Sequence, residues 1–355
     1  MSQSLVAIKA GEEAYSRINT EGLTSDMISG VASAAGGPKW FTVYGLVRYI
    51  LADFLKDAQH PLHFIGASVG SWQMTSALTS DPGEALDRLC ERYAGYVYDE
   101  DPGPNSIADA CSDIISSMLD DETEFILNHP TRQLHVITSR GKGWLAHDNK
   151  VAKGLGFGYS FLLNAINRKN LDVTAVRTIL SNSCTLPFDT TKDVLKTLHA
   201  KLSRDNLLPA LLGSGSIPFI SPGVKNISGV PAGTYWDGGL TDYHISLPYN
   251  TDGLILHPHF FPHVYAGWFD KKLPWDRTAI APNMSKAVLI HPTQAFVDSL
   301  PKQRISEMQD FYEFGEDQEG RSKYWRTIAE RSKEMGAELH ELITSGKVAE
   351  VMTRY

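Results

Sequence analysis

The sequence predicts an α/β protein, a three-layer α/β/α sandwich on a mostly parallel central sheet. Three observations carry that expectation. Two short apolar runs, at residues 27–32 and from residue 62, each lead into a glycine-bearing loop and then into a helix-forming segment. Strand–loop–helix units in succession set parallel strands side by side, with both loops at the carboxyl edge of the sheet. Further short apolar runs at 133–138, 234–236, 253–256 and 287–290 supply more strands between stretches of helical spacing.

Taken in order, residues 6–18 read as a short helix ending by Gly22. Residues 27–32 read as the first buried strand, which runs into Ala34-Ala35-Gly36-Gly37-Pro38-Lys39. Phe41, Tyr44, Val47, Ile50, Leu51 and Phe54 then recur at helical spacing, and Pro38 suits the opening of that helix. The second unit passes through Gly66-Ala67-Ser68-Val69-Gly70 into a segment apolar on more than one face (Val69, Trp72, Met74, Ala77, Leu78), the pattern of a deeply buried helix. Residues 83–98 and 107–127 read as helices, separated by a Pro/Gly/Asn loop at 101–105. The Gly-rich, aromatic stretch 154–163 reads as core packing in preference to a mobile cover over a site. Residues 204–213 are helical and lead into Ser214-Gly215-Ser216-Ile217-Pro218; Trp325, Ile328, Met335, Leu339 and Leu342 mark one face of a helix in the tail. A core over 1–300 is expected, with a mostly helical insertion around 83–182 and residues 301–355 as a helical extension on the same domain.

Composition removes several function classes. Of 355 residues, 42% are hydrophobic and 21% charged, enough apolar surface for a large core. A net charge of −8 and no block of Lys/Arg argue against nucleic-acid binding. Cys90, Cys111 and Cys184 are scattered without metal-type spacing, as reduced thiols of a cytoplasmic protein would be. The first residues lack the basic-then-apolar pattern of a secretory leader, and no apolar run has the length of a membrane span.

Gly66–Gly70 has the form G-x-S-x-G, which in a strand–turn–helix setting holds a serine hydroxyl out at the end of a sheet. A helix beginning after Ser68 aims free N–H groups and a positive dipole end at that hydroxyl. The same pentapeptide also serves as a plain packing turn, so its partners decide. Gly36 and Gly37, bare residues between a strand and a helix, are the candidate oxyanion site; a phosphate loop is the weaker reading because the full dinucleotide and P-loop patterns are absent. Two kinds of base are open. His244, His257, His259, His263 and His291 come late enough for a Ser–acid–His order, and Asp237, in Asp237-Gly238-Gly239, becomes a base if burial raises its pKa. Lys39 either steadies the glycine loop and biases its charge or is a solvated lysine. Residues 257–263 alternate histidines as metal ligands on a strand do, but no acidic partner clusters with them, and an aromatic, Pro-rich surface loop is the stronger reading.

The motifs Gly-Gly-x-Lys at 36–39, Gly-x-Ser-x-Gly at 66–70 and Asp-Gly-Gly at 237–239, with the Ser214–Pro218 approach, together resemble the patatin-like phospholipases, a family of serine acyl hydrolases. The resemblance lies within residues 27–240. It implies a patatin-like sandwich, Ser68 as nucleophile and Asp237 as its partner in a dyad without histidine. It also implies the Gly36 and Gly37 amides as oxyanion hole, support from Lys39, Gly66, Gly70, Gly238 and Gly239, and no cofactor. Two positions depart from the family pattern: Ala35 stands where the first of three glycines is usual, and Trp40 where a glycine follows the basic residue. The implied activity is cleavage of lipid or small carboxylic esters, with transient contact to a membrane surface. A Ser–His–Asp α/β-hydrolase and a non-catalytic acyl-binding protein on the same fold are the alternatives.

Overall fold

The computed structural model describes residues 4–99, 103–275, 277 and 281–355. Its strands are β1 (Val6–Ala10), β2 (Ile28–Ser33), β3 (Leu62–Ala67), β4 (Arg132–Gly141), β5 (Ala175–Ser181), β6 (Thr197–Lys201), β7 (Val224–Lys225), β8 (Thr234–Trp236), β9 (Leu254–Pro258), β10 (Ala287–Pro292) and β11 (Met352–Arg354). The helices are α1 (Glu12–Glu21), α2 (Tyr44–Tyr49), α3 (Val69–Ser76), α4 (Pro82–Gly95), α5 (Pro104–Leu119), α6 (Thr123–Leu127), α7 (Lys150–Ile166), α8 (Leu207–Ser214), α9 (Gln294–Ser299), α10 (Gln309–Phe314), α11 (Gln318–Thr344) and α12 (Val348–Val351).

All the strands join one sheet in the order β11-β1-β10-β9-β2-β3-β4-β5-β6, with β8 also on β4 and β7 on β8. The run β10-β9-β2-β3-β4 is parallel throughout, so the sheet is mostly parallel; β1 with β11, β5 with β6, and β8 run against it. Successive strand residues point to opposite faces. Val31, Phe64, Val136, Leu180 and Leu256 enter one core, and Ala32, Ile65, Ile137, Ile179 and Ile255 enter the other. The first face is covered by α3 and, beyond it, by α2 and α11. The second is covered by less regular chain carrying Phe188, Tyr243, Ile245 and Leu247. This layering is consistent with a three-layer sandwich. No helix among the described residues is long and apolar enough to cross a membrane.

Several local expectations need correction. Residues 6–18 divide into β1 and α1, because Val6, Ile8 and Ala10 alternate inward on a strand paired with β10 and β11 before Gly11 turns the chain. Residues 27–32 therefore belong to the second strand, not the first. The helix predicted over 107–127 breaks at Asp120, which adopts a left-handed φ of 45°. Of the 101–105 loop, residues 101 and 102 lie outside the described residues, and Pro104 already opens α5. Residues 83–182 hold α4 to α7 but also β4 and β5 of the central sheet. The surface loop predicted at 257–263 begins as buried β9, and His257, His259 and Phe260 are all buried. The core packing expected of 154–163 holds on one side of α7 only: Gly156 and Ser160 are buried and Phe157 and Phe161 pack inward, but Leu155, Tyr159 and Leu162 are exposed.

Candidate active site

β3 ends at Ala67 beside Ile137 of β4, and Ser68 follows at the carboxyl edge of the sheet. Ser68 sits at φ 56°, ψ −135°, a conformation that costs a non-glycine residue on the order of 1–3 kcal/mol and marks the sharp elbow. Gly66 and Gly70 make the turn possible. A Cβ on Gly66 would lie 2.4 Å from the Gly70 backbone, and one on Gly70 would lie 2.2 Å from the Ser33 carbonyl oxygen. The Ser68 N–H donates to Ser214 Oγ at 2.9 Å, and that hydroxyl donates to the Ile137 carbonyl at 2.6 Å. One side chain from the end of α8 thus ties the elbow to β4.

Asp237 arrives by a different route. β8 runs antiparallel to β4 with Trp236 opposite Ser139, so the chain beyond it returns along β4 toward Ser68. A Cβ on Gly238 would lie 2.2 Å from the Ile137 carbonyl oxygen, which admits only glycine at that crossing. The result is a hydrogen bond of 2.6 Å from Ser68 Oγ to Asp237 Oδ2, between groups 169 residues apart. The other carboxylate oxygen, Oδ1, accepts the Gly239 N–H at 2.7 Å, and the Asp237 N–H donates to the Ser216 carbonyl at 2.9 Å. Burial pushes the Asp237 carboxyl up to about 6, against the opposing pull of the Ser68 and Gly239 hydrogen bonds. A carboxylate at that value takes a proton far more readily than one near 4.

The Gly36–Gly37 loop leaves β2, which pairs in parallel with β3 at Ser33 and Gly66, and so lies at the same edge. Ala35 spends its N–H on the Tyr243 carbonyl at 2.8 Å. Among the described residues the Gly36 and Gly37 N–H groups meet no acceptor, nor does that of Val69, the first residue of α3. Gly37 has φ 52°, a left-handed turn that favours glycine, and Phe260 fills the space where Gly36 would carry a Cβ. Lys39 is buried and its Nζ lies 3.6 Å from Glu307, which excludes the solvated reading. Burial lowers its pKa, with Glu307 opposing. Beside it Ser306 Oγ donates to the Pro38 carbonyl at 2.7 Å, so residues 306–308 clamp the outside of the glycine loop.

Gly37, Ser68 and Val69 line one cavity of about 680 Å³ walled by Trp72, Ile114 and Phe311, a size and lining suited to an apolar chain. Sequence reasoning missed four of its features. Ser214 stands in the sequence only as the start of the approach to Asp237, with no tie to the Ser68 turn. The Val69 amide was not assigned to the oxyanion site, although the residue after the nucleophile commonly serves there. The Tyr93 hydroxyl lines the cavity 3.9 Å from the position a Gly37 Cβ would take and has no hydrogen-bond partner among the described residues. Burial raises its pKa well above the ordinary value, which keeps it a donor. The wall from Met308 to Arg321 comes from a region with no motif.

The five late histidines lie elsewhere; none hydrogen-bonds Ser68 or Asp237. His257 Nε2 meets Tyr249 Oη at 2.9 Å, and His259 Nδ1 lies 2.8 Å from the Phe261 carbonyl oxygen. His244 and His259 are held neutral by burial, the latter near 3. Among the described residues no group of three His, Cys, Asp or Glu is placed to hold a metal ion. Cys90, Cys111 and Cys184 are all unpaired. No family model, no curated protein sequence and no solved structure matches the chain.

Proposed function

We propose that this protein is a serine acyl hydrolase that cleaves carboxylic esters of lipids through a Ser–Asp dyad, as its resemblance to the patatin-like phospholipases implies. The observation that carries the reading is the 2.6 Å contact between Ser68 Oγ and Asp237 Oδ2, with Ser68 at the wall of an apolar cavity. Ser68 Oγ attacks the ester carbonyl as its proton passes to Asp237. The negative oxygen of the tetrahedral intermediate is held by the free amides of Gly37 and Val69, with Gly36 and the Tyr93 hydroxyl beside them. Collapse expels the alcohol, which takes the proton from Asp237 and leaves an acyl-enzyme. Water then attacks that ester with Asp237 again as base, and Ser68 recovers its proton on release of the acid. No step draws on a cofactor.

The apolar lining suits an acyl chain, and free cysteines suit a reducing, cytoplasmic setting. A histidine-based triad has no support in the contacts of Ser68. The test is labelling with a fluorophosphonate alongside turnover of p-nitrophenyl esters of graded chain length. Both are expected in the wild type and absent in Ser68→Ala. Ester hydrolysis undiminished by Ser68→Ala would overturn the assignment, and acyl binding without turnover of any ester would leave the fold as a carrier.

A further inference from the structure

α7 is apolar on its outer face as well as against the core, where Phe157 and Phe161 pack on Phe269. Its buried face carries Ala152, Gly156, Ser160 and Asn164, while Val151, Leu155, Tyr159, Leu162 and Ile166 form a solvent-facing stripe at steps of three and four residues. Leu162 and Ile166 are 62% and 78% exposed, so the stripe is open and not merely grazed by water. Trp144 extends it, packing edge-on to Tyr159 at 5.8 Å, and Trp268 and Trp275 are exposed as well. Scattered apolar residues on a surface need no explanation, but an ordered stripe of this kind marks a contact surface.

We infer that this outer face of α7 docks on the surface of a phospholipid bilayer. Two observations favour a bilayer over another protein surface. Between residues 144 and 171 the chain carries Lys150, Lys153, Arg168 and Lys169 but only one acid, Asp148, and that acid is paired with Lys153 at 2.7 Å. In a chain of net charge −8 this leaves exposed lysines, Lys150 and Lys169, at the two ends of an apolar stripe with aromatic rings beside it. Helices that lie in a membrane interface share that arrangement. The second observation is the nearness of α7 to the cavity. Phe157 of α7 lies 5.5 Å from the ring of Phe219, which lines the Ser68 cavity, is itself half exposed and is held at φ 73°. Phe157 is on the inner side of α7, away from the stripe, so the helix stands between the stripe and the Phe219 edge of the cavity, and docking of its outer face holds that edge near the lipid. The docking deepens the hydrolase reading and rests on it only for its purpose; the binding itself stands apart from the chemistry.

The test compares the full-length wild type, Ser68→Ala and the double variant Leu155→Ser/Leu162→Ser by flotation with phosphatidylcholine vesicles, with and without phosphatidylglycerol. Wild type and Ser68→Ala are expected to float alike, and more strongly with the anionic lipid. The double variant should bind at least about tenfold more weakly, the loss that withdrawing two leucines from an apolar phase implies. Its turnover of a water-soluble p-nitrophenyl ester and its urea midpoint should be unchanged. Equal flotation of the double variant, or no flotation of the wild type, overturns the proposal. So does a wild-type dimer that the double variant abolishes without vesicle binding, which would assign the face to a second copy. Absence of ester turnover in the wild type would sink the hydrolase reading, while flotation still decides the docking.

Discussion

Replacing Asp237 by Asn separates what the carboxylate does for chemistry from what it costs the fold. In the wild type, Oδ2 accepts the Ser68 hydroxyl proton and Oδ1 accepts the Gly239 N–H. Asparagine keeps the second bond through its oxygen but presents an NH2 to Ser68, so the hydroxyl loses its acceptor. General bases contribute about 10²–10⁴ in rate, and kcat/KM should fall by that much at neutral pH. Stability should move the other way. A carboxyl raised from 3.8 to about 6 withholds roughly 3 kcal/mol of folding free energy once it is ionised in both states. Because the folded-state value is the higher one, the penalty is absent below about pH 4, grows through about pH 6 and is complete above it. Asp237→Asn should therefore unfold at higher urea than the wild type at about pH 8, with the gap closing near pH 4. Discounting for weaker hydrogen bonding by the amide, a gain of about 1–3 kcal/mol is expected. An active Asn variant would refute the base assignment, and a stability difference that does not change with pH would refute the burial of its charge.

Two further outcomes follow from the same geometry. Tyr93→Phe removes a hydroxyl beside Gly37 without changing the ring contacts, and should lower kcat on p-nitrophenyl esters by about ten- to a hundredfold with KM little changed. Ser214→Ala leaves the Ser68 N–H and the Ile137 carbonyl without their shared partner; a loss of about 1–3 kcal/mol in urea unfolding is expected, with a larger fractional loss of kcat than of stability-matched controls.

What the sequence revealed depended on how local the signal was. β2 and β3 were legible because short apolar runs ended at glycines whose missing side chains the turn requires, and Ser68 came with them. β1 was misread because VAIKA, a strand of only five residues, alternates too briefly to fix its period. The meeting of Asp237 with Ser68 depends on β8 lying antiparallel on β4, a pairing across about a hundred residues that no local pattern announces. α7 shows a different limit. Its apolar, Gly-rich composition suggested burial, but composition does not say which side of a helix meets the core, and only packing reveals that Leu155 and Leu162 point outward. Tyr93, one aromatic in an ordinary helix, carried no sign of its place in the cavity wall.

The clamp of Ser306 on Pro38 and of Glu307 on Lys39 ties the cavity to a distant stretch of chain. Both the brace on the glycine loop and the wall from Met308 to Arg321 come from residues far along the sequence from Ser68. Removing that stretch would leave the glycine loop unbraced and the cavity open on one side, so under the proposed chemistry the ester site is complete only once these residues have packed against it.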